Sequence, residues 1–166
     1  MDIRVLNRND AEQYKQIRLT ALRACPESFA QSFDNELSQP LGYFANKITP
    51  SNQSFIIGAF NGLTLVGTAG VSRQDYLKRS HKGMISGFYV NKPFQNNGIG
   101  KRLLERIIDE AKQLNDLSQL QLVVISENTS AIKLYQKYGF ETFAFERDAL
   151  RLGQKSYDAK HMVLFL

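Results

Sequence analysis

The chain has 166 residues, 43% hydrophobic and 22% charged, the proportions of one soluble globular domain over 1–166 that buries about 70% of its unfolded surface. Its single cysteine, Cys25, excludes an internal disulfide, no apolar run is long enough to span a bilayer, and Met1 to Arg8 lacks the apolar core of a secretory signal, so no membrane partner and a cytoplasmic setting are expected. The net charge of +5 and pI near 9.3 suit an anionic partner, but Lys and Arg are scattered; no nucleic acid is expected, whereas a ligand with several phosphates would use the same surface.

Ile3 to Leu6 reads as a short strand. Asn9 or Asp10 then caps a helix with Tyr14, Ile17, Leu19, Ala21 and Leu22 near helical spacing, ended by Pro26. A second helical stretch within Asp34 to Ile48 is expected to break at Pro40-Leu41-Gly42. Ser54 to Phe60 and Leu63 to Val71 form a hairpin around Asn61-Gly62, residues that tolerate the positive φ of a tight turn. After a polar loop, Met84 to Val90 is a strand, followed by Gln95-Asn96-Asn97-Gly98-Ile99-Gly100 opening into a helix. That helix carries one apolar stripe: Ile99, Leu103, Leu104, Ile107, Ile108, Ala111 and Leu114. Leu120 to Ile125 reads as a buried strand, Asn128 caps a helix through Tyr138, and Gly139 stops it. Phe140 to Leu166 closes the chain as two strands around Leu152-Gly153-Gln154. Strand, helix and strand from Met84 to Ile125 require a parallel pair, whereas the hairpins are antiparallel. The fold class is therefore α+β with a mixed, mostly antiparallel sheet.

Chemistry is easiest to build at Gln95 to Gly100. The first amides of a helix have no intrahelical partner, and the helix dipole adds about half a positive charge there. Gly98 and Gly100 have no Cβ, so an anion can approach the backbone. Lys101 and Arg102 occupy the first helical turn, where cations oppose the dipole unless an anion is bound. A Walker A loop would need Ser or Thr where Arg102 stands, and a dinucleotide fingerprint would need a third glycine where Leu103 stands.

These residues resemble the GNAT superfamily of N-acetyltransferases, whose pyrophosphate loop reads Gln/Arg-x-x-Gly-x-Gly/Ala. Phe88-Tyr89-Val90 stands where that family's fourth strand binds the pantetheine arm. Asn128-x-x-Ala131 and Tyr135-x-x-Tyr138-Gly139-Phe140 are similar to the next conserved-order segment of the family. The resemblance implies two parallel strands that splay apart, with acetyl-coenzyme A as cosubstrate lying in the gap. It implies cofactor contacts from Phe88, Tyr89, Val90, Gln95, Asn96, Asn97, Gly98, Ile99, Gly100, Lys101, Asn128 and Ser130. It also implies that Tyr135 is the general acid that protonates the departing thiolate.

No base follows from the sequence, because the fourth strand, Gly83 to Val90, holds no carboxylate. Glu27, Asp34, Glu36, Asp75, His81 and Asp158 read as surface residues, and His161 as structural. Cys25 has no recognisable activating neighbour, and no spaced His/Cys cluster exists for a metal. The expected reaction is direct attack of a primary amine on the thioester; the alternative is a noncatalytic coenzyme A-binding or sensor domain. The acceptor, a small molecule or a peptide, is expected between the Pro26 to Pro50 region and the final hairpin. There Glu27, Asp34, Glu36, Glu146 and Asp158 would attract a cation. The last strand, Lys160 to Leu166, is apolar enough to pair across a homodimer.

Overall fold

A computed structural model describes residues 1–166. Strands β1 (Asp2–Val5), β2 (Ser54–Asn61), β3 (Thr64–Arg73), β4 (Lys82–Val90), β5 (Gln119–Ile125), β6 (Glu141–Leu152) and β7 (Lys155–Phe165) form one sheet. Its order is β1-β2-β3-β4-β5-β7-β6, and only β4 and β5 are parallel. Helices α1 (Ala11–Ala24), α2 (Phe33–Leu37), α3 (Leu41–Ile48), α4 (Ile99–Lys112) and α5 (Thr129–Lys137) complete the fold. The mixed α+β class expected from the element order is the one observed.

Alternation along the strands divides the core between two faces. Ile57, Val66, Ile85, Leu120, Leu122 and Met162 meet α4 and α5 on one face. Leu6, Ile56, Phe60, Leu65 and Tyr89 meet α1 and α3 on the other. Both tight hairpins turn on glycine, at Gly62 (φ +60°) and Gly153 (φ +59°). In the first, Asn61 pairs with Thr64, so the turn is Gly62-Leu63 rather than Asn61-Gly62. Only Gly62 there needs a positive φ, as in turns with glycine at the first central position. The helical break falls one step earlier than the sequence suggests. Pro40 is the N-cap of α3, with φ locked near −67°, and Leu41 and Gly42 already belong to the helix.

Two expectations need larger correction. On α1 the buried stripe is Tyr14, Ile17, Arg18, Ala21 and Leu22; Leu19 is only half-buried. Helical spacing from Tyr14 does pass through position 18, and a partner makes an arginine tolerable there. The Arg18 Nε donates to both Glu36 carboxylate oxygens (3.1 and 3.0 Å), and Nη2 donates to Glu36 Oε1 and Gln31 Oε1 (3.0 Å each). Glu36 is therefore buried, not a surface acid. The second correction concerns β7, which lies between β5 and β6. Its backbone is paired on both sides, so it cannot extend a sheet into a second copy; β6 is the edge.

What positions the site is a failure of pairing. Strands β4 and β5 pair only at Lys82↔Gln119, Gly83↔Leu120 and Met84↔Gln121; beyond, they run unpaired to Val90 and Ile125. On its other side β4 pairs with β3, where Thr68↔Tyr89 and Gly70↔Ser86 leave Ala69 opposite both Gly87 and Phe88. This bulge, with Gly87 at φ +64°, bends β4 away from β5.

Candidate active site

The unpaired ends of β4 and β5 lead into the starts of α4 and α5. After β4, the Gln95 side chain turns back and donates through Nε2 to the Val90 carbonyl (2.9 Å), fixing the loop to the strand. Asn96 (φ 61°) and Gly98 (φ 75°) both adopt left-handed backbone, and Gly98 is the N-cap of α4 without any side-chain cap. The first helical bond runs from the Arg102 amide to the Gly98 carbonyl (3.1 Å). The six amides from Asn96 to Lys101 donate to no protein acceptor. A β-carbon at Gly98 would meet nothing within 4 Å, so open space lies against the backbone. Asn96, Asn97 and Gly98 are exposed, whereas the Ile99 side chain belongs to the core and leaves only its amide for the site. Lys101 lies 3.8 Å from Glu105 (Nζ to Oε1).

The start of α5 is built differently. Asn128 is its N-cap, and its Oδ1 accepts from the Ala131 amide (3.2 Å) and from the Ser130 hydroxyl (3.1 Å). Both side chains expected at the cofactor are thus engaged with each other and with the helix end.

Between these helix starts sits an aromatic group. Phe88, half-buried on β4, meets Tyr135 of α5 edge-on with ring centroids 5.9 Å apart, and Tyr135 meets Phe140 at 5.8 Å. Gly100 lies beside this group: a β-carbon there would stand in ordinary contact, 3.7 Å from both Phe88 and Leu134. Tyr135 is buried, and burial alone raises its phenol well above the usual range. It remains a neutral donor at any physiological pH. Tyr138, one turn on, donates to Glu105 Oε1 (2.6 Å), which pushes its phenol up to about 12 and ties α5 to α4. Tyr89 alternates to the opposite face, in the α1 and α3 cluster, so of the three residues Phe88 to Val90 only its backbone faces the gap side.

The structure adds two residues that no sequence pattern marked. Asn91 directly follows β4 and Ser126 directly follows β5; Asn91 Oδ1 and Ser126 Oγ are buried without a hydrogen-bond partner. Unpartnered buried polar atoms are costly, and these two fall just beyond the ends of the two strands that part. The remaining candidates scatter. Asp158 Oδ1 accepts from the Asp148 amide (2.9 Å), and Glu146 is hydrogen-bonded to His161. Burial, then Glu27, raises the Cys25 thiol, the wrong direction for a nucleophile. His81 lies before β4 with its carbonyl taken by Ser118 and Gln119.

A splayed parallel pair beside a helix start with six unpartnered amides leaves hydrogen-bond donors free for an anionic ligand. The profile of the Acetyltransferase (GNAT) family matches residues 16–140. The chain is 32% identical over 130 residues to the N-alpha-acetyltransferase RimI of Mycobacterium tuberculosis, covering 77% of each. Among solved structures, a GNAT-family acetyltransferase from Streptococcus pneumoniae superposes with a TM-score of 0.84 at 24% identity, covering 99% of each chain. The yncA protein of Salmonella typhimurium, whose structure holds acetyl-CoA, superposes with a TM-score of 0.82 at 21% identity, covering 100% of this chain and 94% of that one. The chain belongs to the acetyltransferase (GNAT) family, and its activity is that of an acetyl-CoA-dependent N-acetyltransferase.

Proposed function

We propose that residues 1–166 form one N-acetyltransferase domain, set in the cytoplasm, that holds acetyl-CoA between β4 and β5 and passes the acetyl group to a primary amine in a ternary complex. The observation that carries this is the row of unpartnered amides from Asn96 to Lys101 beside the splay, with Tyr135 behind it. The amides accept the diphosphate, Lys101 adds a positive charge at its edge, and Gln95 keeps the loop on β4. The unpaired backbone at Phe88 and Val90, with the orphaned Asn91 and Ser126 atoms, receives the amide-bearing arm.

In the transfer itself the amine nitrogen bonds to the thioester carbon, and the carbon–sulfur bond then breaks. Tyr135 donates a hydrogen bond to the sulfur as charge gathers there. A thiol ionises near pH 8.5 and this buried phenol well above 10, so the tyrosine stabilises the leaving sulfur more than it drives the proton across. Asn128 and Ser130 act by holding the start of α5, and hence Tyr135, in place. The acceptor is a small-molecule amine or a peptide α-amine, entering on the α1 side where the turn Pro26–Ser28 approaches β5 and β6. Calorimetric titration with acetyl-CoA, followed by thiol release across an amine panel, tests the proposal. Absence of binding to acetyl-CoA by the folded protein overturns it.

A further inference from the structure

The face of the sheet opposite α4 and α5 carries a row of side chains that the transfer described above leaves unused. Leu120, Leu122 and Val124 of β5 point toward α5, so Gln121 and Val123 point away from it. Val123 pairs with His161 of β7, which pairs in turn with Ala144 of β6. Continuing the register past Met84↔Gln121 puts Ser86 of β4 across the gap from Val123, on this same face. The row therefore runs Ser86, gap, Val123, His161. It starts two residues beyond the last paired position of β4 and β5, where the strands part.

His161 is not a bystander in this row. Its Nε2 lies 2.7 Å from Glu146 Oε2 on β6, its ring meets Phe143 with centroids 6.0 Å apart, and its side chain keeps 28% exposure. An ionised carboxylate can only accept, so Nε2 carries the hydrogen, and in the neutral ring the lone pair is then on Nδ1. No protein group bonds to Nδ1. The charged groups nearest the ring in register are Glu141 and Glu146 on this face of β6, and the turn that approaches β5 and β6 brings Glu27; β5 contributes none, and Lys155, further along this face of β7, lies 3.4 Å from Glu127. Three other candidates are engaged or unsuited: Glu36 is paired with Arg18, Asp158 accepts from the Asp148 amide, and Cys25 is held as a thiol.

We propose that His161, oriented by Glu146, is the proton-accepting group of the acetyl transfer, reached from the amine through water. This rests on the function proposed above. An acceptor entering as an ammonium ion sheds two protons in becoming an amide. One ends on the sulfur of coenzyme A on the Tyr135 side of the gap. The other passes to His161 Nδ1 and then to solvent, which the ring's exposure permits. The carbon–nitrogen bond forms, the carbon–sulfur bond then breaks, and no other reactant is required. The arrangement puts proton removal and thiolate stabilisation on opposite faces of the sheet, with the thioester between them. Glu146 is the positioning residue: by accepting the Nε2 hydrogen it selects the tautomer and fixes the ring.

The test uses thiol release from acetyl-CoA with two probes, a hexapeptide beginning with Ala and spermidine. His161→Gln is expected to lower kcat/KM about a hundredfold at pH 7 while acetyl-CoA affinity stays within twofold by calorimetry. With the peptide, whose amine ionises near pH 8, the deficit should shrink to about threefold by pH 9.5, where the amine arrives neutral. Glu146→Gln should cost about tenfold in kcat/KM with acetyl-CoA affinity unchanged, because the imidazole loses the carboxylate that orients it. Long-range proton–nitrogen correlation should show the Nε2–H tautomer of His161 in the wild type and its loss of preference in Glu146→Gln. A wild-type rate in His161→Gln would overturn the assignment, as would an Nδ1–H tautomer. A wild-type protein that binds acetyl-CoA yet releases thiol with neither probe strikes the acetyl-transfer reading itself, a different result from any of these.

Discussion

The starts of α4 and α5 make an instructive pair. Both helices follow a strand of the splayed pair, and both present first-turn amides that need partners. At α5 the chain supplies partners internally: Asn128 Oδ1 accepts from the Ala131 amide, and the Glu127 carbonyl accepts from the Thr129 amide. At α4 it supplies none: Gly98 caps with no side chain, and six successive amides have no protein acceptor. A helix that caps itself is a structural element; one left uncapped beside a gap keeps its amides for a ligand. The difference is worth about 1 kcal/mol of stability forgone at α4, a modest cost against the affinity of a diphosphate held by several charge-assisted hydrogen bonds.

The largest expected effect tests whether the capped helix serves chemistry rather than binding. Tyr135→Phe should lower kcat about a hundredfold and leave acetyl-CoA affinity unchanged; the two are separated by steady-state rates and calorimetry. Next, Gly98→Val should strike the uncapped end. The left-handed backbone at φ 75° strains any β-branched residue by more than about 1–2 kcal/mol, so acetyl-CoA binding should weaken at least tenfold while the thermal midpoint falls only a few degrees. Asn128→Ala should do the converse, costing about 1 kcal/mol in denaturant unfolding with acetyl-CoA affinity within threefold. A large loss of affinity there would give Asn128 a direct ligand contact and blur the contrast between the two helix starts.

The smallest effect concerns the link between the helices. Tyr138 is pushed up to about 12 first by its hydrogen bond to Glu105, so its raised value adds stability that is present below pH 10 and lost as the pH rises toward 12. Glu105→Gln should bring the tyrosine titration of the folded protein back toward 10, followed by absorbance of the phenolate.

Much of this was legible in the sequence because it is local. The apolar stripe of α4, the glycines at both hairpins, the Asn128 cap and the loop from Gln95 to Gly100 each depend on residues a few positions apart. The Phe88–Tyr135 contact was half legible: the motifs placed both residues in the family's site, but only the packed sheet and α5 bring their rings within 5.9 Å. The residues that were missed are distant in sequence. Arg18 sits on an apolar stripe and looks misplaced until Glu36 and Gln31 arrive from the next segment. His161 looked structural because Glu146 is fifteen positions away and becomes its partner only across the β6–β7 ladder.

By itself the sequence determined the elements, the parallel crossover and an anion-ready loop, since helix periodicity, turn chemistry and the lack of Cβ at Gly98 act over short range. Tertiary structure alone decided where β4 and β5 stop pairing, that β7 is interior and β6 the edge, and which buried polar atoms remain without partners. Those are outcomes of register and strand order, set by how the two faces of the sheet fill with side chains from the whole chain.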